Sequence, residues 1–273
     1  MELIVLNPIT YIALAAVVLI GLPHGSLDGA IASYLGFNSL YNFFKFLVFY
    51  IISSIGVIYL WFFFPVVSLI LFLLISIYHF GSCDSNNVRN GIVKFIVIVS
   101  HGGSVICATI FFQKETSFII FEYLSGSNVY LVSSYISNSF YIIVIFVCFY
   151  FLICIKEKKY FKKFIEIPII LLLAFYLHPL VTFSIYFCLI HTPRHVLDII
   201  KNISNDKNYK IIIYTTIIFT ILTWVFGLIG YLYLLPNLGN SESILKVIFI
   251  GLAALTLPHM ILVDGFYKPK TKN

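Results

Sequence analysis

The chain reads as all-α: a polytopic membrane helical bundle of about eight or nine transmembrane helices, forming a single integral-membrane domain over residues 1–273. Three observations point there. Of the 273 residues, 61% are hydrophobic and only 10% charged, whereas soluble domains are about 25% charged. The mean hydropathy is +1.03. Apolar runs recur at the length a bilayer demands, roughly 20 residues each, and none shows the ten-residue alternation of a barrel strand, so the spans are helices.

The first span runs from about Leu3 to Leu22 and ends in the polar Pro23-His24-Gly25-Ser26-Leu27-Asp28. It lacks the basic flank and small-residue cleavage site of a signal peptide, so it is expected to be retained. Further spans fall near 41–63, 65–81, 92–112, 134–155, 165–178, 180–199, 210–234 and 243–265. The stretch 165–199 exceeds one ordinary span, and His178-Pro179 is the expected break, because the residue before proline is pushed out of the helical region.

Orientation follows from the lysines. The basic loop Lys156 to Lys163 is expected to face the cytoplasm and to touch anionic lipid. Nine spans then place Lys201, Lys207, Lys210, Lys268, Lys270 and Lys272 on the same side, with an external N-terminus; eight would put the 201–210 lysines on the wrong side. The net charge of +6 therefore speaks to topology and not to nucleic acid. The five cysteines show no CxxC spacing and read as small buried hydrophobes. Gly102-Gly103 reads as a close helix contact. Gly25 and Gly81, each following a histidine or its neighbour, would let backbone approach a metal or another helix.

The polar residues are concentrated in histidine motifs. His191 and His195, in His191-Thr192-Pro193-Arg194-His195, stand at i and i+4, the spacing that puts two side chains on one helix face, about 5–6 Å apart at Cβ and within reach of one metal. Pro193 predicts that the helix starts or kinks there. On the nine-span topology, His24, His79, His191, His195 and His259 end spans running the same way, so five of the seven histidines gather at one depth, near the cytoplasmic face. His101 and His178 do not. An aspartate follows each cluster: Asp28, Asp84, Asp198 and Asp264. Such carboxylates could take the second N–H of a metal-bound imidazole or pair with Arg194; alternatively they mark helix ends. Imidazoles without thiolates suit iron, copper or zinc.

These motifs carry a resemblance. Pro23-His24-Gly25-Ser26-Leu27-Asp28, His79-Phe80-Gly81 with Asp84, His191-Thr192-Pro193-Arg194-His195 and Thr256-Leu257-Pro258-His259-Met260 resemble, in order, the signature motifs of the bacteriorhodopsin-related-protein-like (Brp/Blh) family of membrane enzymes. Those enzymes cleave beta-carotene at its central 15,15′ double bond to two retinals. The resemblance implies an iron-dependent dioxygenase in a cell membrane, with Fe(2+) as cofactor, beta-carotene and O2 as substrates, the lipid bilayer as surroundings and a functional link to a microbial rhodopsin. It implies His24, His79, His191 and His195 as catalytic metal ligands and His259 in a supporting or alternative-ligand role; the spacing noted above, and not the resemblance, adds Asp28, Asp84, Asp198 and Asp264 as supporting carboxylates. The reaction puts both oxygen atoms into aldehydes and needs no reductant. An apolar substrate dissolved in the bilayer would enter laterally into a tunnel of aromatic and aliphatic side chains.

Two other classes stay open at this point. A membrane di-iron carotenoid or lipid hydroxylase or desaturase would present more HxxxH and HxxHH boxes than the single HxxxH here. A His/Asp-lined transporter would carry polar residues to both faces. A rhodopsin is disfavoured, since no lysine lies in the middle of a span.

Overall fold

A computed structural model describes residues 6–85, 88–126, 129–203 and 209–266, and all its secondary structure among them is helical. The helices are α1 (Pro8–Tyr34), α2 (Leu40–Phe63), α3 (Pro65–Asp84), α4 (Gly91–Phe112), α5 (Lys114–Ser125), α6 (Tyr130–Lys156), α7 (Glu166–Tyr176), α8 (Pro179–Ile185), α9 (Thr192–Ile203) and α10 (Tyr209–Met260).

Local chemistry sets the helix ends. The Ser39 hydroxyl accepts from Asn42 N–H (3.2 Å) and starts α2, which stops at the residue preceding Pro65. The Asn90 side chain accepts from the N–H groups of Ile92 and Val93 at the head of α4. Gly126, with φ of 65°, closes α5. The expected break at His178-Pro179 is present: Pro179 begins α8, and His178 caps it by accepting from Leu180 N–H at 3.3 Å.

Six helical stretches among the described residues are long and apolar enough to cross a membrane: Pro8–Tyr34, Leu40–Phe63, Pro65–Asp84, Gly91–Phe112, Tyr130–Lys156 and Ile212–Phe266. Two features separate this number from eight or nine. The last stretch holds two helices that meet at Gly239, whose φ of 75° and ψ of 177° are not helical, and it counts once among the six. The region after Lys156 is divided at Leu177-His178 into α7, of 11 residues, and a run in which α8 passes through the π-helical turn Tyr186–His191 directly into α9, whose first turns carry the polar Thr192, Arg194, His195 and Asp198. The amphipathic α5 falls where the sequence predicts only a connection. On α2, Phe44, Phe49, Ile52, Ile55, Tyr59 and Phe62 are exposed, an apolar band larger than soluble monomers carry.

The chain forms two compact units, Met1–Leu14 with Leu69–Phe187, and Ala15–Ser68 with Cys188–Asn273. In the first, α4 packs on α6, α7 and α8 around Cys107, Ala108, Phe140, Ile143 and Ala174. Its contact with α3 is backbone to backbone: a Cβ on Gly102 would lie 1.8 Å from the Ile77 carbonyl oxygen, and one on Gly81 2.2 Å from that of Ile98. Both glycines thus serve helix packing.

In the second unit, Leu27, Ile31, Ala32, Phe46, Ile199, Ile203, Leu262 and Val263 form the core. The long α10 packs along α2 and along the 22–34 segment of α1. Two hydrogen bonds fix that register: Thr220 Oγ1 donates to Ser26 Oγ (2.9 Å) and Trp224 Nε1 to the Val18 carbonyl (2.9 Å).

Candidate metal centre

Three segments of the second unit bring histidines together, and each is interrupted at its histidine. A π-helical turn, Val17–Gly21, passes into a tight 3₁₀ stretch, Leu22–Leu27, that carries His24. A π-helical turn from Tyr186 to His191 ends on that histidine and runs without a break into α9, so the helix does not start at Pro193 but widens in the turn just before it. Pro258 and His259 close α10 and are followed by a third π-helical turn, Ile261–Phe266. Wide turns of this kind re-aim side chains and concentrate at functional sites.

The rings of His24, His191, His195 and His259 converge, all at 9% exposure or less. His24 stands nearly perpendicular to the other three, with centroids 5.5 Å from His191, 5.6 Å from His195 and 5.3 Å from His259. His191 and His195 lie parallel, 5.7 Å apart with planes 9° from one another, as i and i+4 partners must if both aim the same way. His195 and His259 are 5.1 Å apart. Imidazoles bound at about 2.1 Å to one tetrahedral ion would have centroids about 5 Å apart. The three pairs made by His24, and the His191–His195 and His195–His259 pairs, have about that spacing.

The hydrogen bonds behind two of the rings settle their tautomers. His24 Nδ1 contacts the carbonyl of Gly21. A carbonyl only accepts, so Nδ1 carries the proton and Nε2 is the nitrogen with a lone pair. His259 Nδ1 donates to Asp28 Oδ1 at 2.7 Å, and the other oxygen of Asp28 accepts from the Tyr50 hydroxyl at 2.9 Å. Asp28 is 2% exposed. A carboxylate that takes the second N–H of an imidazole fixes its orientation and raises its basicity toward a metal.

The other sequence-derived candidates are His79, Asp84, Asp198 and Asp264. His79, 3% exposed, lies on α3 in the first unit, its ring beside Phe80. Asp84 ends the same helix; its Oδ2 is 3.3 Å from His101 Nδ1 and its Oδ1 is 3.5 Å from Lys163 Nζ. Asp198 is half-buried on α9, and Asp264 is exposed. His178 is a helix cap. Two residues passed over in the sequence therefore matter: Tyr50, whose signal was only a tyrosine inside an apolar run, and His101, whose partner lies 17 positions back in the chain.

The described residues thus form a helical protein with stretches long and apolar enough to cross a membrane and a group of buried imidazoles, one backed by a carboxylate, of a kind that can hold a metal. The beta-carotene 15,15′-dioxygenase family model matches residues 15–267, and the chain belongs to that family. It is 35% identical over 263 residues to a beta-carotene 15,15′-dioxygenase from the uncultured marine bacterium 66A03, covering 96% of this chain and 95% of the relative. No solved structure matches it significantly.

Proposed function

We propose that this chain is an iron-dependent dioxygenase that cleaves beta-carotene at its central 15,15′ double bond into two molecules of all-trans-retinal. The observation that carries the reading is the convergence of His24, His191, His195 and His259 with Asp28 behind His259. An all-imidazole set is what a ferrous ion with positions open to dioxygen or substrate would use. The family resemblance adds His79 as a ligand; retention of full iron by a His79→Ala variant would remove it from the set.

Ferrous iron, when bound, would supply the activation of dioxygen that no side chain can perform. The rest is done by the chain. His191 and His195 present two nitrogens from one helical face. Tyr50 and Asp28 hold the His259 ring, and the Gly21 carbonyl holds the His24 ring, so both keep Nε2 deprotonated and directed. Burial of the four rings keeps bulk water from the reacting centre.

The substrate follows from the surroundings. Beta-carotene has no polar group and dissolves in the bilayer, so entry between helices needs no hydrophilic path. Phe80, Phe183, Tyr186 and Phe187 pack together in the first unit, with Phe183 and Phe187 stacked at 5.3 Å, and offer π faces that suit cationic character on a polyene. The chain sits in the cell membrane as a multi-pass protein with its metal site toward the cytoplasm, and its retinal would serve a microbial rhodopsin.

The test is expression in cells that already accumulate beta-carotene. We expect loss of colour with retinal as the sole product, and neither effect with His191→Ala or His195→Ala. Beta-carotene left intact by a well-inserted protein, or an oxygenated C40 product, would overturn the reading, the latter in favour of a hydroxylase.

A further inference from the structure

The first unit holds a second polar cluster that shares no residue with the four imidazoles. Asp84 at the end of α3, His101 within α4 and Glu166 at the start of α7 each offer one ligand atom, and these atoms lie within 4.8 Å of one another. Asp84 is 2% exposed and His101 0%. We propose that Asp84, His101 and Glu166 form a second, structural site for a divalent transition-metal cation, tying the ends of α3 and α7 to the middle of α4.

His101 is the strongest sign. Among the described residues neither of its ring nitrogens makes a hydrogen bond, although both are buried. Leaving such a group unsatisfied is costly, and its neighbours Ser100, Gly102, Gly103 and Ser104 are all buried with it. His101 Nδ1 stands 3.3 Å from Asp84 Oδ2. A charge-assisted hydrogen bond would close to about 2.7–2.9 Å, whereas two ligands held at about 2.1 Å by one cation are separated by about 3–3.4 Å. The contact has the length of a coordination edge.

The donor set names the class of ion. One imidazole and two carboxylates suit Zn²⁺, Mn²⁺ or Fe²⁺, and the two carboxylates neutralise a double charge. Lys163 is the competing cation. Its Nζ contacts Asp84 Oδ1 at 3.5 Å and donates to the Asp84 backbone carbonyl at 2.5 Å, leaving Oδ2 to face His101. The Tyr150 ring, 5.7 Å from that of His101, covers the imidazole with an apolar face. An ion here would close three helices with binding energy that counts as folding energy.

The test is metal stoichiometry of the full-length, detergent-solubilised protein, dialysed against Mn²⁺ and then against metal-free buffer, measured by elemental analysis. Glu166→Gln, at a half-buried position and isosteric, should keep the fold and lose one equivalent of metal. The His191→Ala/His195→Ala variant should retain that equivalent and show bound Mn²⁺ by electron paramagnetic resonance. A folded Glu166→Gln protein with unchanged stoichiometry, or a folded His191→Ala/His195→Ala protein that binds no Mn²⁺, would overturn the site. Failure of the iron reading instead removes the equivalent lost by the histidine variant and leaves the Glu166-dependent one in place.

Discussion

Asp28 shows how much one side chain decides. It is buried between His259 and Tyr50 and has a partner on each oxygen. Asp28→Asn keeps the shape but replaces the acceptor toward His259 by an amide that can turn a donor to the ring. Iron affinity should fall about 10–100-fold, read as iron per protein at fixed free iron, with retinal formation falling in step. Tyr50→Phe removes one donor to the same carboxylate and should have a smaller effect in the same direction. His178→Ala is the contrasting case: it removes a helix cap, costs about 0.5–2 kcal/mol of stability and should leave iron content unchanged. Sequence reasoning set His178 apart because the nine-span topology puts it away from the depth shared by His24, His79, His191, His195 and His259. Tyr50 could not be found that way, since one tyrosine among 19 in an apolar chain looks like packing.

At the scale of elements, the structure is organised by where helices are interrupted. The π-helical turns at Val17–Gly21, Tyr186–His191 and Ile261–Phe266 sit beside the histidines, and no sequence periodicity announced them. A π-helical turn adds one residue to a helix without changing its apolar character, so the pattern on either side looks continuous. The prolines 23, 193 and 258 were the legible part of the same feature. Elsewhere α3 and α4 touch through Gly81 and Gly102. Gly102→Ala drives a methyl group into the Ile77 carbonyl, which cannot move without its helix; we expect a loss of about 1–3 kcal/mol or more, seen as a lowered thermal midpoint in detergent. Gly56→Ala, with nothing within 4 Å in the exposed middle of α2, should raise stability by about 0.5–1 kcal/mol. Gly239→Ala should cost about 1–2 kcal/mol, because a Cβ resists a φ of 75°.

For the whole molecule, the open quantity is how often the chain crosses the bilayer. The six long apolar stretches account for most of its length, and the nine-span topology requires Lys156 to Lys163 and the 201–210 segment to share the cytoplasmic side. Single cysteines placed at 158 and at 201 in a cysteine-free background should both be protected from an impermeant thiol reagent in intact cells; labelling of one alone would mean that α7, α8 and α9 do not cross twice. The sequence by itself determined the fold class and the site's raw material. Composition forces helices where water is absent, and charged or imidazole side chains tolerated among apolar runs stand out against a background that excludes them. Only the tertiary structure decided which of those groups meet. His24, His191, His195 and His259 are separated by up to 235 positions, and Asp84 turned to His101 because helix packing places them side by side. Meetings of that kind depend on the register of one helix against another, which is set by backbone contact at small residues and by interruptions in the helices, and neither leaves a local mark in the order of the residues.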